Sequence, residues 1–204
     1  HLADGSHPQH PERLSAVYDQ LVSSGAIDFL DLIDAPLATV EELERVHCGD
    51  YVRRLQVISP EAGTVFLDED TEMDSHSVEA ALRAAGAVIH AVDLVMRGEA
   101  TNAFCNVRPP GHHANRDTAM GFCFFSNAAL AAKHSVPHLK AAGGWSIVNI
   151  PSTDALRGLP GGTAYASTKF GLAAMSPCWQ GELRQNDIRV IQVNPIEVQT
   201  GFGG

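Results

Sequence analysis

Two short apolar runs, Trp145–Ile150 and 188–193, bracket a helical pattern over 163–185 in the last third of this 204-residue chain. Continuous apolar strands are those buried on both faces. Strand, helix, strand in that order makes a parallel βαβ unit with a right-handed crossover. Such a segment commits the chain to an α/β architecture. The preceding residues agree. Pro11 opens a helical pattern through Val22, with Leu14, Val17, Tyr18 and Leu21 on one face and Gly25 just beyond. Short helices are expected at 41–47 and 50–57, a long one at 76–97 and another at 126–141, with a buried strand at 103–107. The expected fold is a three-layer α/β unit with a mostly parallel open sheet. Strands 103–107, 145–150 and 188–193 should be neighbours in it, under helices 76–97 and 163–185.

Hydrophobic residues make up 45% of the chain and charged residues 19%, which suits a globular core of one or two domains. A net charge of −10 repels phosphate backbones, so nucleic acid is not an expected partner. No apolar run approaches the ~18 residues of a membrane span, and no basic-then-apolar leader opens the chain. A cytoplasmic location without membrane attachment is expected. Cys48, Cys105, Cys123 and Cys178 form no C-x-x-C pair, so reduced thiols rather than a zinc-thiolate site are expected. Charge is unevenly spread. Residues 1–131 carry a net −12, with arginine their only strong base, whereas residues 132–204 carry a net +2. That step divides the chain into expected pieces 1–131 and 132–204.

Two patterns carry chemistry. Arg108-Pro109-Pro110-Gly111-His112-His113-Ala114 leaves the 103–107 strand, and Gly121-Phe122-Cys123-Phe124-Phe125 follows. Adjacent imidazoles on a rigid loop at a strand's C-terminal end suit proton transfer near neutrality. With His7 to Leu14, Leu67 to Thr71 and Met120 to Asn127, these motifs resemble the histone deacetylase and acetylpolyamine amidohydrolase family over about residues 1–131. The resemblance implies an arginase-like α/β fold and zinc-dependent hydrolysis of acyl-lysine or acylpolyamine amides. It assigns His113 as general base and acid, His112 as its electrostatic helper, Phe122 as a wall of the substrate tunnel beside Gly121, and Arg13 to the pocket floor. The family then supplies a strand ending Asp-x-Asp-x-His, and later another Asp and a Tyr. Here the next strand ends Asn149-Ile150-Pro151-Ser152-Thr153-Asp154, with no Asp-x-His after Asn127. A catalytic zinc takes about three protein ligands, and Asp154 is the nearest candidate.

The second pattern is Tyr165 and Lys169, four apart on one helix face, with Ser152 thirteen residues before the tyrosine. An ammonium beside a phenol favours phenolate, and a phenol so tuned can shuttle a proton to a carbonyl or alcohol oxygen. With Gly144 to Ser152 and Asp187 to Thr200, these residues resemble the short-chain dehydrogenase/reductase family over about 133–204. By that resemblance Ser152 orients a carbonyl, Tyr165 is the acid/base and Lys169 holds the nicotinamide ribose. Asn194, Pro195 and Thr200 face the nicotinamide, although Ile196 replaces the glycine usual after that proline. The Gly-rich turn that binds NAD(P) pyrophosphate is absent from this chain.

The expectation drawn from both patterns is a hybrid. An arginase/deacetylase-like first part continues into a Rossmann-like βαβ unit, joined near Ala131–Ser135, with neither parent activity and no cofactor as it stands. The alternatives are a zinc-dependent deacetylase-like amidohydrolase acting on acyl-lysine or acylpolyamine amides, and an NAD(P)-dependent short-chain oxidoreductase. A homodimer is allowed. Adjacent histidines on an extended loop should diverge and chelate poorly, so no stoichiometric zinc is expected.

Overall fold

Helix signals and helix positions agree closely. The computed structural model describes residues 10–143, 145–151 and 163–194, and over these the helices are α1 (Glu12–Ser23), α2 (Val40–Glu44), α3 (Gly49–Val57), α4 (Ser77–Met96), α5 (Asn127–Ala141) and α6 (Thr163–Leu183). Each begins within a residue or two of the expected start. The chain divides into two compact units, His1–His134 and Ser135–Gly204.

In the first unit the core is built by α2, α3 and α4. Leu43, Tyr51, Val52, Leu55, Ala81, Ala85 and Ile89 pack with Met73, Phe124, Phe125 and Leu130. Helix α2 is held at its start by a capping box. The Thr39 hydroxyl accepts from the Glu42 N–H (3.2 Å), and the Glu42 carboxylate accepts from the Thr39 N–H (2.7 Å), satisfying two amides that a helix N-terminus leaves without partners. Helix α4 presents small residues to the chain that crosses it. The Ala38 N–H donates to the Leu82 carbonyl (3.0 Å), and a Cβ on Gly86 would stand 2.0 Å from the Pro36 carbonyl oxygen. Only glycine allows that approach. Helix α1 buries none of its residues fully; its expected apolar face is half covered at Leu14, Val17 and Leu21.

A short antiparallel ladder that the sequence pattern did not disclose pairs β1 (Val65–Phe66) with β2 (Glu72–Met73). Its turn is closed by Asp68, whose carboxylate accepts from the Asp70 and Thr71 N–H groups (3.1 and 2.6 Å). Asp side chains commonly stabilise turns this way.

The second unit contains the expected parallel pair. Strand β3 (Ser146–Asn149) pairs with β4 (Arg189–Gln192) in the register Ser146↔Arg189 to Asn149↔Gln192. Between them runs α6, which ends in a 3-10 turn at Arg184–Asn186. The buried Asn149 amide donates to the Ser176 hydroxyl (2.9 Å), and Gln180 donates to the Val190 carbonyl (2.9 Å), tying the helix to both strands.

Two expectations need correction. Residues 103–107 join no ladder among the described residues. Their polar groups bond to α1 instead, the Asn106 amide donating to the Leu14 carbonyl (3.2 Å) and the Arg13 guanidinium to the Val107 carbonyl (3.0 Å). An apolar run becomes a strand only when another strand takes its backbone groups. In place of one mostly parallel open sheet, the described residues form two separate two-stranded ladders. No described helix is long and apolar enough to cross a membrane.

Candidate active site

The prolines and glycine of residues 109–111 forbid helix, so this stretch leads as a loop from residues 103–107 to α5. Its anchor is the start of that helix, where the Ala128 N–H donates to the Gly111 carbonyl (2.9 Å). A Cβ on Gly111 would overlap the Asn127 side chain, so the loop lies directly on the helix. The Arg108–Pro109 peptide is cis.

His112 and His113 do not diverge. Their rings meet edge to face, with centroids 3.9 Å apart and planes at 89°. Two features impose this. Gly121, at φ +57°, brings its backbone against the second ring, and a Cβ there would sit 2.6 Å from His113 Cδ2. On the other side, the His112 N–H donates to the Cys123 sulfur (3.4 Å). His112 is exposed, His113 half-buried and Cys123 fully buried.

Residues 120–123 form a tight reversal. Met120 and Cys123 exchange backbone hydrogen bonds (3.1 and 3.0 Å), and Phe122 takes φ +66°. A phenylalanine in this left-handed conformation is strained. Its N–H donates to the hydroxyl of Thr71 (3.0 Å), which is buried, so the β1–β2 ladder holds the expected tunnel-wall residue in place.

A buried layer beneath fixes the loop ends. His47 Nε2 accepts from the Ser126 N–H (3.0 Å), which leaves Nδ1–H to donate to the Arg116 carbonyl (3.3 Å). Burial pulls its pKa below the ordinary 6.5, against the pull of its backbone bonds, so it stays neutral. The Tyr51 hydroxyl donates to the Phe124 carbonyl (2.6 Å), and burial raises its pKa. Burial also raises that of the Cys123 thiol, and nearby backbone amides oppose this only in part. Asp70 is raised by burial and by the charge of Asp68. Burial, then the charge of Arg13, lowers that of Arg108.

His112, His113, Gly121 and Phe122 thus form one cluster. Arg13 is bonded to the end of the segment that leads into it. Thr71, His47 and Cys123 were not singled out from sequence. The hints available were that Cys123 lies inside the Gly121–Phe125 motif and that Thr71 ends the Leu67–Thr71 motif; His47 lies in neither. Of the second pattern, Ser152 and Thr200 lie outside the described residues, as does Asp154. Tyr165 and Lys169 lie one turn apart in α6, the tyrosine side chain again outside the described set. Asn194 accepts from the Gln192 amide (3.1 Å).

The family model for the histone deacetylase domain matches residues 7–145. The chain belongs to that family. It is 39% identical over 159 residues to the histone deacetylase-like amidohydrolase of Pseudomonas aeruginosa, covering 76% of this chain and 41% of that protein. Identity to human histone deacetylase 9 is 33% over 153 residues, covering 63% of this chain and 15% of that one. The crystal structure of the HDA15 HD domain superposes with a TM-score of 0.66 at 29% identity, covering 95% of this chain and 48% of that chain. The arginase/deacetylase-like α/β fold follows, and the chain spans less than half the length of these relatives.

These findings bear on the hybrid reading. The family match runs through residue 145, past the join expected at 131–135. The resemblance therefore does not stop where the hybrid required, and neither a reductase-like piece nor NAD(P) draws support. The family implies zinc. Within the first unit the donors near the histidine pair are the two imidazoles and the Cys123 sulfur, all within 4.8 Å of one another. No carboxylate joins this group among the described residues, so these described donors alone do not make up the carboxylate-rich zinc site that the family resemblance implies.

Proposed function

We propose that the chain acts as a deacetylase-like amidohydrolase on acyl-lysine or acylpolyamine amides, with His112 and His113 as its proton-transfer pair. The observation that carries this is the edge-to-face pair wedged between Gly121 and Cys123, inside the family-matched segment. The half-buried His113 takes a proton from the attacking water as its oxygen bonds to the amide carbon. It returns that proton to the departing amine nitrogen as the C–N bond breaks, so a carboxylic acid and a free amine leave, and the acid then passes its proton to the amine or to water. Phe122, strained and tethered by Thr71, would flank the acyl-bearing chain.

Acetate release from an acetyl-lysine peptide and from an acetylated polyamine tests this reading. His113→Ala should lower kcat by about 10²–10⁴-fold, with His112→Ala less damaging. Equal rates for wild type and His113→Ala, or no release by the wild type, would overturn it.

A further inference from the structure

His47 is a buried titratable ring that takes no part in the proton transfer proposed above. We infer that His47 is a positioning residue for the His112–His113 pair, and that only its neutral form holds their loop in working shape; this rests on the amidohydrolase reading.

The ring clamps the loop on both sides of the Gly121–Cys123 turn. Its Nε2 accepts from the Ser126 N–H (3.0 Å), and its Nδ1–H donates to the Arg116 carbonyl (3.3 Å). Ser126 is buried, and its carbonyl opens α5 by accepting from the Leu130 N–H (2.9 Å). The next two residues carry the histidine pair. The Asn127 side chain lies against Gly111, and the Ala128 N–H donates to the Gly111 carbonyl (2.9 Å), one residue before His112. On the other side, the chain from Arg116 leads to Gly121, which packs on the His113 ring. The Arg116 carbonyl keeps a second bond, from the Cys48 N–H (2.9 Å), so the ring's charge state acts at the Ser126 end. An imidazolium donates from both nitrogens and accepts at neither. A proton on Nε2 would set it against the Ser126 N–H, displacing the start of α5 and with it Gly111 and the pair. The titratable groups nearby are Tyr51, its ring centroid 5.5 Å away, and around Tyr51 the side chains of Cys48, Arg54, Asp117 and Cys123. Burial leads in lowering the proton affinity of His47, and its backbone bonds to Arg116 and Asn115 oppose it.

Two variants separate charge from shape. His47→Gln places an amide oxygen where Nε2 accepts and does not titrate. His47→Leu fills the space with no acceptor. At pH 7.5, nitrogen NMR of the wild-type histidine rings should show His47 as the Nδ1–H tautomer. The ring signals of His112 and His113 should stay in place in His47→Gln and shift in His47→Leu. These spectra need no substrate, so they decide the role of His47 on their own; a wild type that releases no acetate would sink only the amidohydrolase reading. In the acetate-release assay, His47→Leu should lower kcat by about 10- to 100-fold with KM changed less, and His47→Gln should recover most of it. Below pH 6.5, log kcat of the wild type should fall with a slope about one unit steeper than that of His47→Gln, with circular dichroism showing both proteins folded. Should His47→Leu not fold, the tautomer and the two slopes decide. An Nε2–H tautomer, pair signals unmoved in folded His47→Leu, or equal slopes would each overturn the proposal.

Discussion

At Gly121 two constraints coincide. Its φ is +57°, and its α-hydrogen side faces the His113 ring. Alanine there would add the left-handed penalty of about 1–2 kcal/mol and push a methyl into the imidazole. Gly121→Ala should lower Tm by roughly 2–8 °C, and its loss of acetate release should exceed what the unfolded fraction explains, because His113 is displaced. Thermal unfolding and the hydrolysis assay at a temperature where both proteins are folded separate the two effects. Thr71 is the complementary case. Its hydroxyl accepts from the strained Phe122 amide, so Thr71→Val keeps the shape and removes the acceptor. Leaving that N–H without its partner should cost about 1–3 kcal/mol in chemical denaturation, whereas Thr71→Ser should recover most of it.

The elements obey packing over propensity where the two disagree. Helix α4 has Gly86 in its middle, a residue that costs about 1 kcal/mol relative to alanine in a free helix. An exposed helix would gain from Gly86→Ala. Here the added methyl meets the Pro36 carbonyl oxygen at 2.0 Å and the Ala38 nitrogen at 2.9 Å, both backbone atoms that cannot rotate away. The variant should therefore be less stable by about 1–3 kcal/mol in a denaturant titration, and any gain in stability would show that the crossing chain yields easily. The same competition explains residues 103–107. Their apolar character predicted a strand, but hydrogen bonds from Arg13 and Asn106 tie them to α1.

Over the whole molecule, pH reports on the buried layer under the site. His47 is neutral when folded, with its pKa pulled below 6.5 first by burial. The unfolded chain binds this proton more readily than the folded one does. Its contribution to stability is therefore full above about pH 6.5 and is lost progressively as the pH falls from there toward the lowered folded value. Denaturant midpoints should drop on going from pH 7.5 to 5 by more in the wild type than in His47→Gln, whose amide keeps a donor and an acceptor but does not titrate in this range. Parallel pH profiles for the two proteins would remove His47 from the account.

Sequence by itself determined the helices, the parallel β3–β4 pairing and the tandem-histidine motif, because periodicity, proline and glycine positions and apolar runs act over a few residues. It also led to the family through the motifs around His112 and Gly121. Where two families each match a few short motifs, the local pattern points to a junction, and only a match spanning residues 7–145 shows the deacetylase family continuing across it. The geometry of the pair was not legible. Two neighbouring histidines on a loop diverge unless something holds them. What holds these is a glycine eight positions beyond His113 and a sulfur eleven positions beyond His112, with Phe122 between them tied to a threonine fifty-one positions back. Such contacts exist only once β1, β2 and α5 have brought their segments together. Ring orientation, burial of Cys123 and the neutrality of His47 were therefore decided by tertiary structure, since each depends on neighbours that spacing along the chain does not encode.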